Sequence, residues 1–222
     1  MGVKHFTNGD YFEGEYKNGN WNGMGVKYFT NGDRFEGFYE DGKALKGIKY
    51  FDNGDIEECD RKNGLAHGYG IKRFANGNRF EGEYKNGNWN GKGVIHYKNG
   101  DRFEGEYIDG KAQKGKEYFK NGDYEECTYK DGKANGFGIK YFKNGDRFEG
   151  DYKEGNWNGK GTKFFQNGDK FEGSYEDGRA HGFGVKYFKN GNKFEGEYVD
   201  GVAKGKGTMY YADGSSETQI YG

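Results

Sequence analysis

The dipeptide Asn-Gly recurs at Asn8, Asn31, Asn53, Asn76, Asn99, Asn121, Asn144, Asn167 and Asn190, always 22 or 23 residues apart, and Asp213-Gly214 opens a tenth, incomplete copy. A fixed period in this range means stacked supersecondary units, none of which can bury an apolar face by itself. The chain therefore reads as one repeat domain over residues 1–222, nine units and a partial tenth.

Each unit reads as a β-hairpin. Between residues 139 and 150, Ile-Lys-Tyr-Phe-Lys leads into Asn-Gly, and Asp-Arg-Phe-Glu-Gly follows. Asn-Gly favours a two-residue type I′ turn. That turn would set Lys143 opposite Asp146, Phe142 opposite Arg147, Tyr141 opposite Phe148, Lys140 opposite Glu149 and Ile139 opposite Gly150. Ile139, Tyr141, Phe148, Gly150 and Tyr152 would then share one face, with the ion pairs on the reverse. The glycine two places after each Phe reads as room for a ring from an adjacent strand. The expected fold is all-β: an elongated, twisted single-layer antiparallel β-meander of tandem hairpin repeats, ~95 Å long for about twenty strands at ~4.8 Å spacing.

Composition fits such a ribbon. Hydrophobic residues are only 32% and aromatic residues 19%, with 44 Gly and no Pro, so rings replace the aliphatic filling of a thick core. Lys plus Arg number 35 and Asp plus Glu 36, a net charge of −1, which gives no overall pull toward nucleic acid. No apolar leader and no run approaching ~20 apolar residues is present, and the two cysteines, Cys59 and Cys127, lack the spacing of a zinc or disulfide framework. The expected setting is the cytoplasm, with membrane association through anionic lipid as the alternative.

A second period overlies the first. The position held by Trp21, Ala44, Ala66, Trp89, Ala112, Ala134, Trp157, Ala180 and Ala203 reads Trp-Ala-Ala three times, which divides the chain into three blocks of 68 residues. In the third unit of the first two blocks the usual Phe is Glu57 or Glu125 and the usual Gly is Cys59 or Cys127, whereas the last block returns to Phe194 and Gly196.

The strings Asn-Gly-Asp-Arg-Phe-Glu-Gly-Glu-Tyr (residues 99–107) and Gly-Lys-Gly-Val (residues 91–94) resemble the MORN motif, and the resemblance runs through essentially the whole chain. It implies a binding, tethering or dimerising module, with lipid headgroup binding proposed for some members.

The paired acids of each Glu-Gly-Glu repeat as a ladder, and a catalytic site is singular, so they read as cross-strand partners of lysines. The turn aspartates, Asp10, Asp33, Asp55, Asp101, Asp123, Asp146 and Asp169, lack the spacing of calcium-binding β-rolls and read as turn residues. No catalytic, metal or cofactor site can be nominated. The candidate binding residues are Trp21, Trp89 and Trp157, because Trp is enriched at binding hot spots, and Glu57 and Glu125, acids placed where rings are expected. The expected activity is a non-catalytic scaffold presenting an aromatic-lined groove to a protein partner, with a homodimer or end-to-end self-association among the options. The alternative partner is an anionic phospholipid headgroup.

Overall fold

The computed structural model describes residues 1–222, and each of its 20 regular elements is a β-strand. The chain divides into two units, residues 1–111 and 112–222. In the first, strands from Gly2–His5 to Arg102–Ile108 each pair antiparallel with the next along the chain. In the second, strands from Lys111–Tyr118 to Ser216–Tyr221 do the same. The hairpin repeats are as the alternating sequence dictates. Their register is not.

Two kinds of turn alternate. At the recurrent Asn-Gly, the Phe142 N–H donates to the Asp146 carbonyl at 2.9 Å and the Gly145 N–H to the Phe142 carbonyl at 2.9 Å. Gly145 is left-handed, at φ 90°, so the loop holds three residues, Lys143, Asn144 and Gly145, ending in a glycine bulge. The Asn144 side chain accepts a hydrogen bond from the Asp146 N–H at 3.0 Å, which closes this wider loop. The type I′ turn lies instead at the opposite end of the strands: Asn18 and Gly19, at φ 51° and 78°, separate the paired residues Lys17 and Asn20.

The extra loop residue shifts the pairing by one. Lys140 stands opposite Phe148, Tyr141 opposite Arg147, Ile139 opposite Glu149 and Gly138 opposite Gly150, which corrects the ring-with-ring, charge-with-charge register expected from a two-residue turn. The two faces are corrected with it. Phe148, Gly150 and Tyr152 do share a face, but Ile139 and Tyr141 lie on the reverse, where Tyr141 stacks on Tyr124 at 4.5 Å and the Arg147 guanidinium covers Phe164 at 4.4 Å. Rings and ion pairs therefore occur on both faces.

What favours this register is the opposition of glycines. In the first unit Gly14 faces Gly25, and the Phe12 ring lies across both: its Cζ would stand 2.7 Å from a Cβ at Gly14 and closer still to one at Gly25. Phe80 lies likewise over Gly82 and Gly93, and in the second unit Phe148 over Gly150 and Gly161. For Gly14, Gly82 and Gly150 the ring that needs the space comes from the glycine's own strand, two residues earlier, and not from a neighbouring one; only for the opposed Gly25, Gly93 and Gly161 does it come from the adjacent strand. Each such ring buries ~150–250 Å² and contributes several kcal/mol at ~25 cal/mol/Å². A register shift after the glycines then brings Tyr16 and Trp21 onto the same face as Phe12.

The turn aspartates join successive repeats. Asp33 Oδ1 accepts the Asp52 N–H at 3.0 Å while Oδ2 pairs with Lys49 Nζ at 2.8 Å. Asp10 serves Thr30 and Lys27, and Asp55 serves Ala75 and Lys72, in the same way. In the second unit Asp146 holds Gln166 and Lys163, and Asp169 holds Lys189 and Lys186. Asn78 and Asn192, at the same position, keep the backbone bond without the charge.

Two outcomes follow. Gly93→Ala places a Cβ 2.5 Å from Phe80 Cε2, so it is expected to lower Tm by several degrees; in a Phe80→Ala background the same change is expected to cost much less, a non-additivity that thermal denaturation reads directly. The second outcome concerns acid. Burial pushes the Asp33 carboxyl up, but Lys49 and the Asp52 N–H outweigh it and hold the group below its ordinary 3.8; Asp55 and Asp146 behave alike. A lowered folded pKa gives stability that is complete above the unfolded value and lost as pH falls through the folded one. Tm is thus expected to fall progressively below pH 3.8, and less steeply in an Asp33→Asn, Asp146→Asn variant.

Candidate functional site

The face carrying the Phe-on-glycine rings is also the one that carries the candidate tryptophans. Its lysines come from the strand opposite each Phe, so Lys27 lies across from Phe12 and Lys49 across from Phe35. Lys49 Nζ sits between the rings of Phe29 and Phe51, at 5.6 and 4.4 Å, and is held by Asp33. Lys27 and Lys72 repeat the arrangement. These cations are half-buried, ring-bound and paired.

The three candidate tryptophans occupy one equivalent place each. Trp21 stacks on Phe12 with centroids 4.3 Å apart and planes at 13°, and meets Tyr39 edge-on at 5.5 Å. Trp89 stacks on Phe80 at 3.9 Å against Tyr107, and Trp157 on Phe148 at 3.9 Å against Tyr175. Each is half-buried. The indoles close the packing: Phe12, Phe80 and Phe148 are 0% exposed, whereas Phe35, Phe171 and Phe194, whose neighbouring strand offers Ala, are 5% exposed.

Beside Ala44 and Ala180 the face opens. In the first unit a cavity of about 630 Å³ is walled by Trp21, Phe35 and Tyr39 and bounded by Ala44, Ala66, Glu57 and Arg61. In the second unit a cavity of about 310 Å³ is walled by Trp157, Phe171, Tyr175 and Tyr198, with Ala180 at its edge. Trp21 and Glu57 thus line one cavity and Trp157 another; Trp89 and Glu125 line neither.

Glu57 is buried and accepts a hydrogen bond from Arg61 Nη2 at 2.9 Å, the two side chains being 9% and 7% exposed. The Arg61 guanidinium also covers Phe35 at 5.1 Å, taking over that ring the place that Tyr39 holds over Phe12. Glu125, in the second unit, pairs with Lys140 at 3.3 Å. Both acids are committed to cations. The adjoining cysteines are free and buried, and burial first of all pushes the Cys59 thiol up to about 11 and that of Cys127 to about 12. A cysteine replaces glycine here because Glu replaces Phe: with no ring across the pair, a Cβ fits opposite Gly70 and Gly138. No group of three His, Cys, Asp or Glu side chains converges to hold a metal ion.

Arg61 and the space-making alanines were not legible as site residues. Their signal lay in the Trp-Ala-Ala order, which draws the eye to the tryptophans while the empty places are the alanines.

The family model for the MORN repeat matches residues 12–34, 62–79, 80–102, 103–124, 128–147, 148–170, 171–193 and 194–216. Residues 35–61, which hold Glu57, Cys59 and Arg61, lie between the matches. No curated protein matches the chain by sequence. Among solved structures, a point mutant of the TCP10 domain of CPAP from Danio rerio is similar with a TM-score of 0.48 and 12% identity, over 100% of each chain. The SAS-4 TCP domain from Drosophila melanogaster, in complex with a proline-rich motif of Ana2, is similar with a TM-score of 0.45 and 14% identity, over 69% of this chain and 85% of that one. With eight segments matched along most of its length, the chain belongs to the MORN-repeat family.

Proposed function

We propose that the chain is a non-catalytic protein-interaction scaffold whose ring-bearing face is its binding surface. The observation that carries this reading is the ring-walled cavity beside Trp21, with its counterpart beside Trp157, in a face elsewhere closed by stacked aromatics. Apolar concavities with a few placed polar groups are the usual form of a recognition site, and aromatic walls suit the anchor residues that dominate protein interfaces. Glu57 and Glu125, each answered by a cation, support the wall of the face and do not stand ready as acid or base.

The pairing of charges favours a protein over a lipid surface. Binding to anionic headgroups draws on uncompensated Lys and Arg. On the ring-bearing face Lys27, Lys49, Lys72, Lys163 and Lys186 are each answered by a turn aspartate. On the reverse face Arg34, Arg79, Arg147, Lys170 and Lys193 each pair with the Glu two residues along.

A photo-crosslinking amino acid at Leu65, at the mouth of the larger cavity, is expected to capture a protein from cell extract; the same group at Met24 on the reverse face is not. The two positions are 49% and 57% exposed, so access does not favour Leu65. Equal capture at both positions, or flotation of the protein with phosphoinositide vesicles and no protein crosslink, would contradict the reading.

A further inference from the structure

The first strand of the first unit and the last strand of the second each keep one edge without a neighbour. Gly2–His5 pairs only with Tyr11–Lys17, and Ser216–Tyr221 only with Val202–Tyr210. The Phe6 N–H donates to the Asp10 carbonyl at 2.9 Å, and the Tyr211 N–H to the Ser215 carbonyl at 2.8 Å. Antiparallel bonding alternates along a strand, so the main-chain groups facing outward are those of Val3 and His5 on one edge and of Ser216, Thr218 and Ile220 on the other. Neither a proline nor a bulge blunts these edges.

The side chains on the two edges match a pairing that the chain already contains. Glu217 stands opposite Met209 where Phe194 stands opposite Lys186, and Gln219 opposite Gly207 where Gly196 stands opposite Gly184. An acid thus replaces the Phe and a larger side chain the Gly. The same replacement in the first unit, Glu57 and Cys59, faces Lys72 and Gly70 on the next strand. In the second unit Glu125 and Cys127 face Lys140 and Gly138. The Gly2–His5 strand carries this answer at the same spacing, since Gly2 and Lys4 stand opposite Gly14 and Phe12 as Gly70 and Lys72 stand opposite Gly82 and Phe80. Both charges are unspent. Lys4 meets one ring, Phe6 at 5.3 Å, and no acid, whereas Lys27 lies between Phe6 and Phe29 and pairs with Asp10. Glu217 accepts hydrogen bonds from Tyr211 Oη and Gln219 Nε2, both at 3.0 Å, and meets no cation.

We propose that the Ser216–Tyr221 edge of one copy pairs antiparallel with the Gly2–His5 edge of a second copy, with Gln219 facing Gly2, Thr218 facing Val3, Glu217 facing Lys4 and Ser216 facing His5 of that copy. Thr218 with Val3, and Ser216 with His5, then exchange the outward main-chain bonds, the mode by which sheet edges take up a strand. Gly2 leaves room for Gln219 as Gly70 does for Cys59. Ile220, 87% exposed, comes opposite Met1 of the second copy, 103% exposed, so the two cover each other. Because the two edges differ, a joined pair still presents one free edge of each kind, and association continues past a dimer. Four facing residues a side make a short ladder, so the joint is weak and forms at high concentration. It is a contact of strand edges and stands apart from the reading of the cavities.

Sedimentation velocity of the full chain across a concentration series reads the joint. The weight-average mass of the unaltered chain is expected to rise with concentration and to pass that of a dimer. Lys4→Glu and Glu217→Lys each set like charges face to face and are expected to weaken association about threefold or more. The double variant Lys4→Glu, Glu217→Lys reverses the pair and is expected to restore it. Thr218→Pro removes an outward N–H, leaves the bonds to Val202–Tyr210 in place, and is expected to cost about tenfold or more. Should the proline fray the strand, the charge reversal decides alone, since Lys4 and Glu217 are exposed side chains. A chain that stays monomeric throughout, a closed dimer that grows no further, or single variants that associate like the unaltered chain would each overturn the proposal. So would a double variant that associates no better than either single one.

Discussion

A phenylalanine ring laid across two opposed glycines is the contact on which the rest of the structure depends. The ring can lie across the pair only if neither position carries a Cβ. Phe12 over Gly14 and Gly25, Phe80 over Gly82 and Gly93, and Phe148 over Gly150 and Gly161 all obey this rule. A single layer of strands has no second sheet to pack on, so burial must be found within the face itself, and glycine supplies the depth. The third hairpin shows the rule by exception: Glu57 brings no ring, and the position opposite Gly70 is free to carry Cys59.

Much of the fold was legible. The Asn-Gly period gave the count of hairpins, and the Phe, Gly and Tyr of each Phe-Glu-Gly-x-Tyr run fall on one face as strand alternation requires. The register was not legible, because each repeat has two glycine turns of different kinds, the recurrent Asn-Gly loop and a tight turn that reads Asn-Gly, Asp-Gly or Glu-Gly, and Asn-Gly itself serves in both roles. At Asn18-Gly19 both residues are left-handed and make the tight turn, whereas at Asn144-Gly145 only the glycine is. The difference lies one residue on. The Asp146 N–H is taken by Asn144, and its carboxylate reaches forward to Gln166 and Lys163. That forward bond belongs to the stacking of repeats, so a single hairpin read alone contains no sign of it.

The candidate site was legible in half. The tryptophans stood out as large residues breaking a run of alanines, but their rings are spent on Phe12, Phe80 and Phe148. The two cavities lie beside Ala44 and Ala180, where a small side chain leaves unfilled the place a tryptophan takes elsewhere. Packing thus follows one geometry: the repeats with indoles are closed, and the cavities lie beside Ala44 and Ala180.

The central claim is tested most directly by the ring-current shift of the opposed glycines in solution NMR. With Phe12 lying over the pair, the Gly14 and Gly25 Hα resonances should move strongly upfield, show nuclear Overhauser contacts to the Phe12 ring, and return to ordinary positions in Phe12→Leu. Glycine resonances at ordinary positions in the unaltered chain, with Phe12 ring contacts to the Tyr28 side chain as a one-residue slip would give, would contradict the account.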